Sequence, residues 1–168
     1  MTLFSWLRDW RADELHGRLL AIFVAGDSGA PMRSVESVEA IVGQGLAGDR
    51  YALGKGHWRL TDGCEVTLVS AEEIARGEKR SGIALGNGEH RRNLVVSGIT
   101  LDALRRNELR IGEVRFAFHK LRPPCMYLDR LVGSGHTKAL KGAGGVGLRV
   151  VEGGVIRVGD AVEVITGP

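Results

Sequence analysis

A single thiol, Cys125, stands where the sequence could present a reactive side chain. Pro123 and Pro124 precede it and fix the backbone on its N-terminal side, because each pyrrolidine ring locks φ. The seven residues after it place apolar side chains on one face and predict a short helix. Arg122 and Arg130 lie nearby, and cations and helix N-termini both favour a thiolate. Cys125 is therefore interpreted as a reactive group, with an inert buried cysteine as the alternative.

Two basic segments are candidates for holding an anion. Arg91 and Arg92 enter a predicted strand together with Asn93, and a guanidinium can bind a phosphate or carboxylate with two parallel hydrogen bonds. The competing interpretation is a solvated basic turn. Asp49 and Arg50 lie in a glycine-rich loop. That pair either forms a local salt bridge that shapes the loop or presents Arg50 to an anion.

Two other features are interpreted as structural. Cys64 precedes a predicted strand and is expected to be a buried, unreactive thiol. The segment 142–147 matches the pattern GxGxxG, but a dinucleotide site needs a strand before the glycines and a helix after them. Here a helical segment precedes and a strand follows. The glycines are therefore expected to form a tight connection, whose backbone N–H groups could meet an anion.

The five histidines show no metal-ligand spacing. A Cys–His pair with Cys125 stays open, and His57 is the favoured partner if the long loop that carries it folds over the thiol. The sequence contains no paired carboxylates, no P-loop and no serine nucleophile elbow.

Length, composition and charge limit the class of protein. The 168 residues suffice for one domain with a hydrophobic core, and 25 glycines favour a turn-rich, strand-rich fold over a helical bundle. The formal charge of +3 does not distinguish a protein that binds a small anion from one that binds nucleic acid. We expect no nucleic-acid partner. Two distant cysteines form neither a disulfide framework nor a CxxC zinc pair. With no secretory signal and no run of about 20 apolar residues for a membrane span, we expect a cytoplasmic protein.

The elements that must position these residues are mainly short strands. Ser70 and Glu73 form a capping box that opens a helix to about Arg80. The glycine-punctuated stretch 43–63 predicts a long loop of the kind that is usually functional or mobile. Turns every few residues favour a mainly β, barrel-like and mostly antiparallel fold with a few short flanking helices. Strands are predicted at 18–25, 37–42, 65–69, 93–97, 109–119, 147–151, 155–158 and 162–166.

The first 16 residues are predicted to form an amphipathic helix ahead of a single barrel domain at 17–168. Its apolar face carries Leu3, Trp6, Leu7 and Trp10. The helix is expected to pack on the domain or on a second subunit, which would give a homodimer. Membrane-surface binding is the minor alternative, because the polar face carries charges of both signs.

Six segments occur in an order that resembles the MOSC domain, the family named for the C-terminal domain of molybdenum cofactor sulfurases. The likeness extends from Gly17 to Thr166. The segments are GLAGDRY at 45–51, VTLVSAE at 66–72, RNLVVSGI at 92–99, LRIG at 109–112, PC at 124–125 and GVIRVGD at 154–160.

The resemblance implies a β-barrel and sulfur or molybdenum chemistry centred on Cys125, which matches the cysteine of the family. Cys125 would carry a sulfane sulfur as a persulfide, with a sulfur-donor protein as partner, or would ligate the molybdenum of a bound molybdopterin. On this hypothesis Arg50, Arg91 and Arg92 would hold the pterin phosphate, Asn93 would orient a polar edge, and Asp49 is counted with them as a cofactor-binding residue. The family is associated with pyridoxal phosphate enzymes, but no pyridoxal phosphate site is evident within this chain.

Two other functions stay open beside this one. Some relatives of the domain are reductases of N-hydroxylated compounds, which would require stably bound molybdenum. A non-catalytic module that docks on a larger partner through its N-terminal helix is the alternative from a different class. The sequence also departs from the family pattern, since many small relatives read Cys-x-Pro-Cys where this chain has Arg122 in the place of the first cysteine. The departure favours one thiol acting alone.

Overall fold

The structure, a computed structural model, describes residues 15–57 and 64–166, and within these ranges the chain is mostly β, as predicted. The strands are β1 (Leu15–Val24), β2 (Arg33–Val35), β3 (Ser37–Ile41), β4 (Gly45–Leu46), β5 (Val66–Ser70), β6 (Leu94–Ile99), β7 (Glu108–Ile111), β8 (Val114–Leu121), β9 (Val146–Glu152), β10 (Gly154–Arg157) and β11 (Ala161–Ile165). The α-helices are α1 (Ala71–Ser81), α2 (Met126–Val132) and α3 (His136–Ala139), with a 3₁₀ helix at Leu101–Arg105.

Seven strands close into a barrel in the order β1, β11, β7, β8, β9, β5 and β6, with β6 pairing back to β1. All neighbours in this ring are antiparallel except β5 and β6, which are parallel and joined through α1. Strand β2 extends the sheet beyond β1, and β10, β3 and β4 form a separate three-stranded sheet. The predicted β-barrel with short flanking helices is confirmed.

Two apolar clusters lie on the two faces of the same strands. In β6 the buried side chains of Leu94 and Val96 belong to the barrel interior, while Val95 between them belongs to an outer cluster. Successive side chains of a strand point to opposite faces, so a strand buried on both faces reads as a continuous apolar run. The outer cluster also contains Ile74 of α1 and Leu128 of α2. The helices therefore cover the barrel wall beside the strands that lead to the site.

Helix α1 begins as the sequence predicts. The Ser70 hydroxyl accepts the backbone N–H of Glu73 at 3.4 Å, which satisfies one of the free donors of the first turn. The Ser70 hydroxyl also donates to Glu72, whose second oxygen accepts the backbone N–H of Gly98 at 2.9 Å. Glu72 therefore ties the start of the helix to β6.

One predicted strand is wrong. The alternating run 109–119 is not continuous, because a turn at Gly112 and Glu113 divides it into the hairpin of β7 and β8. Gly112 has φ +56°, a conformation that glycine adopts without steric cost. The two-residue turn shifts the alternation, so Leu109 and Val114 both face the barrel interior.

The predicted N-terminal helix lies almost wholly outside the described residues, and its C-terminal boundary is corrected. Leu15 and His16 belong to β1, where His16 pairs with Glu163 of β11. The barrel therefore begins at Leu15 and not at residue 17. Residues 58–63 of the predicted long loop are also outside the described ranges, and the remainder of that loop contains the short strand β4.

Strand register brings several chain segments to one end of the barrel. Ile22 near the end of β1 pairs with Leu94 at the start of β6, and Leu121 at the end of β8 pairs with Val146 at the start of β9. Leu68 of β5 pairs with both Leu94 and Val146, which places the two junctions side by side. Here the segments around residues 25–30, 49–57, 90–93 and 120–125 converge.

Candidate functional site

At this end of the barrel a cavity of about 430 Å³ opens to solvent, and Cys125 lies on its wall. Cys125 is exposed, immediately precedes α2 and makes no side-chain capping bond to that helix. Its backbone carbonyl accepts from the Leu128 N–H at 2.9 Å and from the Thr137 hydroxyl at 2.9 Å. The fold thus holds the backbone of Cys125 and leaves its thiol available to the cavity.

Five cationic side chains from three segments line the same cavity. They are Arg50, Arg91, Arg92, Lys120 and Arg122. Among the described residues that line the cavity there is no carboxylate. A partly enclosed group of like charges attracts an anion, and the low-dielectric protein on one side strengthens that attraction.

Arg50 is fixed by the Asp49 carboxylate and still reaches the cavity. Its Nη1 lies 3.1 Å from Asp49 Oδ1, and both residues are buried. The same carboxylate accepts the backbone N–H groups of Ala25 at 3.0 Å and of Tyr51 at 3.2 Å, so it also shapes the loop. The Asp49–Arg50 pair is therefore a local salt bridge that shapes the loop. Arg50 also lines the cavity, and its contact with an anion stays a prediction.

Arg91 lies at the back of the cavity in a conformation that its neighbours maintain. Its φ is +57°, which is uncommon for a residue with a Cβ atom, and its Nη1 donates to the Ala30 carbonyl at 2.7 Å. Its own carbonyl accepts from Arg50 Nη2 at 3.3 Å. Burial and then the nearby Arg50 charge lower the pKa of Arg91.

His90 sets the turn that carries these arginines. It is fully buried, and its Nδ1 accepts the backbone N–H of Arg92 at 2.9 Å. Because Nδ1 accepts, the neutral ring carries its proton on Nε2, which has no hydrogen-bond partner. Burial and then the Arg92 charge lower the pKa of His90 to about 3, so the imidazole is neutral at physiological pH.

Arg92 connects the cysteine segment to the glycine-rich connection before β9. Its Nε donates to the Gly144 carbonyl at 2.5 Å, and its Nη2 donates to the Arg122 carbonyl at 3.0 Å. Burial and then the Arg122 charge lower the pKa of Arg92 to about 10, so it remains protonated. The guanidinium expected to bind a phosphate therefore also holds the backbone three residues before Cys125.

The glycine-rich connection is tight, as predicted for residues 142–147. A Cβ atom on Gly144 would overlap the Arg122 carbonyl and lie 2.8 Å from Pro124 Cδ and 3.0 Å from Pro123 Cα. A helix precedes these glycines and a strand follows them, which is the reverse of a dinucleotide site. Their role in the structure is to let the Pro-Pro-Cys segment pack closely.

Aromatic side chains form another wall of the cavity. The rings of His57 and Tyr127 stack with centroids 3.9 Å apart, and the Tyr127 hydroxyl lies 3.3 Å from the Ser28 hydroxyl. Tyr51 accepts from Arg122 Nη2 at 3.2 Å. The loop that carries His57 thus folds over the cavity, as the Cys–His hypothesis requires, but the described contact of its ring is with Tyr127.

Two of the expected cofactor-binding residues lie elsewhere. Asn93 is fully buried between β1 and β5, where its Oδ1 accepts from the Thr67 N–H and hydroxyl and its Nδ2 donates to the Phe23 carbonyl at 3.1 Å. Asp49 is also fully buried and does not line the cavity. Both residues hold backbone segments together, because a buried polar side chain is stable only with its hydrogen bonds satisfied.

Cys64 is buried, as expected, and its Sγ donates to the Val66 carbonyl at 3.5 Å. In the described parts of the chain no three His, Cys, Asp or Glu side chains are grouped so that they could hold a metal ion. None of the helices in those parts has both the length and the apolar character needed to cross a bilayer.

The family model of the MOSC domain matches residues 47–163, about two thirds of the chain. The chain belongs to the MOSC domain family. The match includes Arg50, both arginines of the 90–93 turn and Cys125, so most of the cavity lining lies within the matched segment, while Ser28 and Gly29 precede it. No curated protein matches the sequence.

Solved structures of other proteins share the fold of this chain. The YuaD protein from Bacillus subtilis superimposes with a TM-score of 0.75 at 16% identity, over 92% of this chain and 98% of that one. YiiM from Geobacillus stearothermophilus gives a TM-score of 0.66 at 18% identity, over 89% of this chain and 75% of that one. YiiM from Escherichia coli gives 0.64 at 16% identity, over 90% and 71%. At these identities the likeness shows the MOSC fold alone.

The MOSC cavity contains residues that the sequence did not single out. Lys120 and Tyr127 line it beside Cys125, and Ser28 and Tyr51 complete its other side. Lys120 and Tyr127 are each within five positions of Cys125, so proximity to the thiol was an available signal. Ser28 and Tyr51 reach the cavity only through strand pairing, which spacing along the chain does not reveal.

Proposed function

We propose that this MOSC protein binds the phosphate-bearing molybdenum pterin in the cavity beside Cys125, and that the Cys125 thiol carries a sulfane sulfur or ligates molybdenum. The observation that supports this most is the exposed thiol in one cavity with five cationic side chains and no described carboxylate. Family membership supports the relation to the molybdenum cofactor in general terms.

The residues of the cavity fit such a group. Its volume of about 430 Å³ lies in the range of cavities that bind small molecules, roughly 300–1,000 Å³. Arg50, Arg91 and Arg122 are suited to the phosphate, since guanidinium groups match its geometry with paired hydrogen bonds. Thiolate sulfur is a soft ligand of the kind that soft and transition metals accept. The bound cofactor would supply the redox and oxygen-atom or sulfur-atom chemistry of molybdenum.

The protein residues divide into two roles in this proposal. Arg50, Arg91, Lys120 and Arg122 bind the anionic part and keep it beside the thiol. His90, Arg92, Asp49 and Asn93 act one step away, because their described bonds hold the loops that carry those cations and Cys125. The stacked Tyr127 and His57 rings form one side of the cavity.

The test is to express the chain in a host that makes molybdenum cofactor and to purify it beside Cys125→Ala. Bound molybdenum, pterin fluorescence and persulfide at Cys125 are then measured. We expect the wild type to exceed the variant in at least the persulfide or the molybdenum content. Equal values for wild type and variant in all three measurements would refute the proposal.

The site favours the cofactor proposal over the alternative of a non-catalytic docking module. A fully buried Cys125 without basic neighbours would have favoured that alternative, whereas the thiol is exposed and lines a cavity with arginines. A variant lacking residues 1–14 should therefore retain the persulfide or molybdenum signal that Cys125→Ala loses.

A further inference from the structure

The chemistry of the cavity limits which small anions can use both of its features. Phosphate, sulfate and carboxylate ligands can be held by the cations, but a thiolate does not react with them. An anion that carries an electrophilic sulfur uses the cations and the thiol together. The smallest such species is a dianion in which a sulfane sulfur is bonded to a sulfonate group, as in thiosulfate.

We infer that Cys125 accepts sulfur directly from a small anionic sulfane donor of the thiosulfate class, with sulfite as the leaving group. The inference rests on the proposed function in that Cys125 is the sulfur carrier. It adds a chemical source of the sulfur that needs no partner protein.

The arrangement of cations supports a dianionic donor. Arg50, Arg91 and Arg122 come from separate segments and line one cavity, so more than one segment can contribute a cation to the same anion. The described bonds of Arg91 use one N–H, donated to the Ala30 carbonyl, of the five that a guanidinium carries. Donors therefore remain for an oxyanion.

Repulsion within this group is the second supporting observation. The charge of Arg50 lowers the pKa of Arg91, and that of Arg122 lowers the pKa of Arg92 to about 10, each after burial as the larger cause. Like charges held together in a partly buried site destabilise one another until an anion lies between them. A dianion relieves this repulsion more than a monoanion does.

The proposed step balances without an added oxidant or reductant. The Cys125 thiolate attacks the sulfane sulfur of thiosulfate, and a new S–S bond forms on Sγ as the S–S bond of thiosulfate breaks. The electron pair of the broken bond leaves on sulfite. The total charge is three negative before and after, on persulfide and sulfite. Cations that bind the sulfonate oxygens also stabilise the sulfite dianion as it departs.

A nucleophile completes the cycle by removing the outer sulfur. Cyanide is the convenient probe: it attacks the persulfide, takes the sulfur as thiocyanate and returns the Cys125 thiolate. A thiol would do the same and leave as its own persulfide. The cavity opens to solvent, so a small acceptor can reach Sγ without displacing a secondary-structure element.

The experiment uses the purified full chain, without added cofactor, and thiosulfate as the probe. Sulfite release, the mass gain of one sulfur atom on the peptide containing Cys125, and thiocyanate after cyanide addition are measured. We expect one sulfite per protein in the first turnover. Cys125→Ser should abolish all three signals, and Cys64→Ala, which removes the buried thiol, should retain them.

A charge-matched set of variants tests the role of the cations. Arg122→Gln should raise the KM for thiosulfate roughly 10- to 150-fold, since a hydrogen bond to a charged group contributes about 1.5–3 kcal/mol. Arg122→Lys keeps the charge and should recover most of that loss. Arg130→Gln, an exposed arginine that does not line the cavity, should leave the KM unchanged.

The outcomes separate this inference from the proposed function. If wild type releases no sulfite while protein from the cofactor-producing host carries molybdenum or persulfide at Cys125, the thiosulfate step is wrong and the proposed function stands. If sulfite release is unchanged in Cys125→Ser, or equal in Arg122→Gln and Arg122→Lys, the inference is also overturned. Sulfite release by wild type that is lost with Cys125 supports it whether or not a pterin is bound.

Discussion

His90 is the side chain whose charge state is most constrained by the fold. It is fully buried, and burial lowers its pKa from the ordinary 6.5 to about 3. The unfolded chain therefore binds a proton that the native state does not accept. Above about pH 6.5 this difference in proton binding does not change the free energy of unfolding. As the pH falls from there toward 3, it lowers the free energy of unfolding by about 1.4 kcal/mol per pH unit.

The pH dependence of unfolding tests this assignment. His90→Asn keeps an acceptor for the Arg92 N–H but removes the titrating ring, so its stability should fall less steeply between about pH 7 and about pH 5. Denaturant unfolding of both proteins at each pH gives the comparison. Parallel stability curves for the two proteins would show that His90 does not titrate as its burial requires.

Arg92 is predicted to act mainly as a positioning residue. Arg92→Gln removes the charged hydrogen bonds to the Gly144 and Arg122 carbonyls, and we expect a loss of about 2–3 kcal/mol in unfolding free energy. Because the same bonds hold the segment before Cys125, alkylation of the thiol in the native protein should also change. Arg130→Gln alters an exposed arginine and is the control, with a stability change within about 0.5 kcal/mol.

The residue types at the site were visible in the sequence, but their separate roles were not. Cys125, Arg50, Arg91 and Arg92 all line the cavity, as expected. Asn93 and Asp49 were expected there because polar residues beside arginines resemble ligand-binding sets, yet both satisfy buried backbone groups. Sequence alone does not distinguish these cases, since the distinction depends on which strand lies behind each residue.

At the scale of elements, the glycine-rich connection decides where the Pro-Pro-Cys segment can lie. Gly144 has no positive φ, so its requirement for glycine is steric: a side chain would meet the Arg122 carbonyl and Pro124. Gly142 has φ +80°, but a Cβ atom there would find no heavy atom within 4 Å. Within this short segment, Gly144 is therefore needed for close packing and Gly142 for its backbone conformation.

Alanine substitution of the two glycines should have different effects on the site. Gly142→Ala should cost about 1–2 kcal/mol of stability through its left-handed backbone and leave Cys125 chemistry unchanged. Gly144→Ala should cost at least as much and also displace the cysteine segment, so the rate of Cys125 alkylation should change. Thermal unfolding and alkylation kinetics measure the two effects. Equal alkylation rates in both variants would contradict the packing argument.

The elements that the sequence predicts correctly have a strong local signal. The capping residue Ser70 and the short apolar runs of the barrel can be identified from residue spacing, and α1 and most strands form where expected. The hairpin of β7 and β8 was missed because the run was interpreted as one strand, although its buried apolar positions change from Leu109 and Ile111 to Val114 and Phe116. That change in the alternation was the available signal for a turn at Gly112 and Glu113.

For the whole molecule, barrel closure is what assembles the site. Arg50, Arg91 and Cys125 are far apart in the chain and meet because β1, β5, β6, β8 and β9 align their ends. Strand pairing of this kind was not predicted residue by residue, since each strand alone is compatible with several neighbours. The six family segments predicted the barrel because, taken together and in their order, they imply how the strands pair.

The combined positive charge of the cavity should affect how fast charged reagents alkylate Cys125, whether or not a cofactor is bound. Iodoacetate and iodoacetamide alkylate the same thiolate, so their rate ratio reports the potential at Cys125 and not the ionisation of the thiol. We expect this ratio to exceed that of a free thiol about tenfold at low ionic strength, because electrostatic attraction raises association rates by 10 to 10³. Raising the ionic strength from about 0.01 M to about 1 M shortens the screening length from about 30 Å to about 3 Å and should reduce the ratio toward that of a free thiol. Arg122→Gln should lower the ratio more than Arg130→Gln does, because Arg122 lines the cavity and Arg130 does not. A ratio near that of a free thiol at low salt would mean that the five cations do not act together on the thiol, and the anion-binding role of the cavity would fail with it.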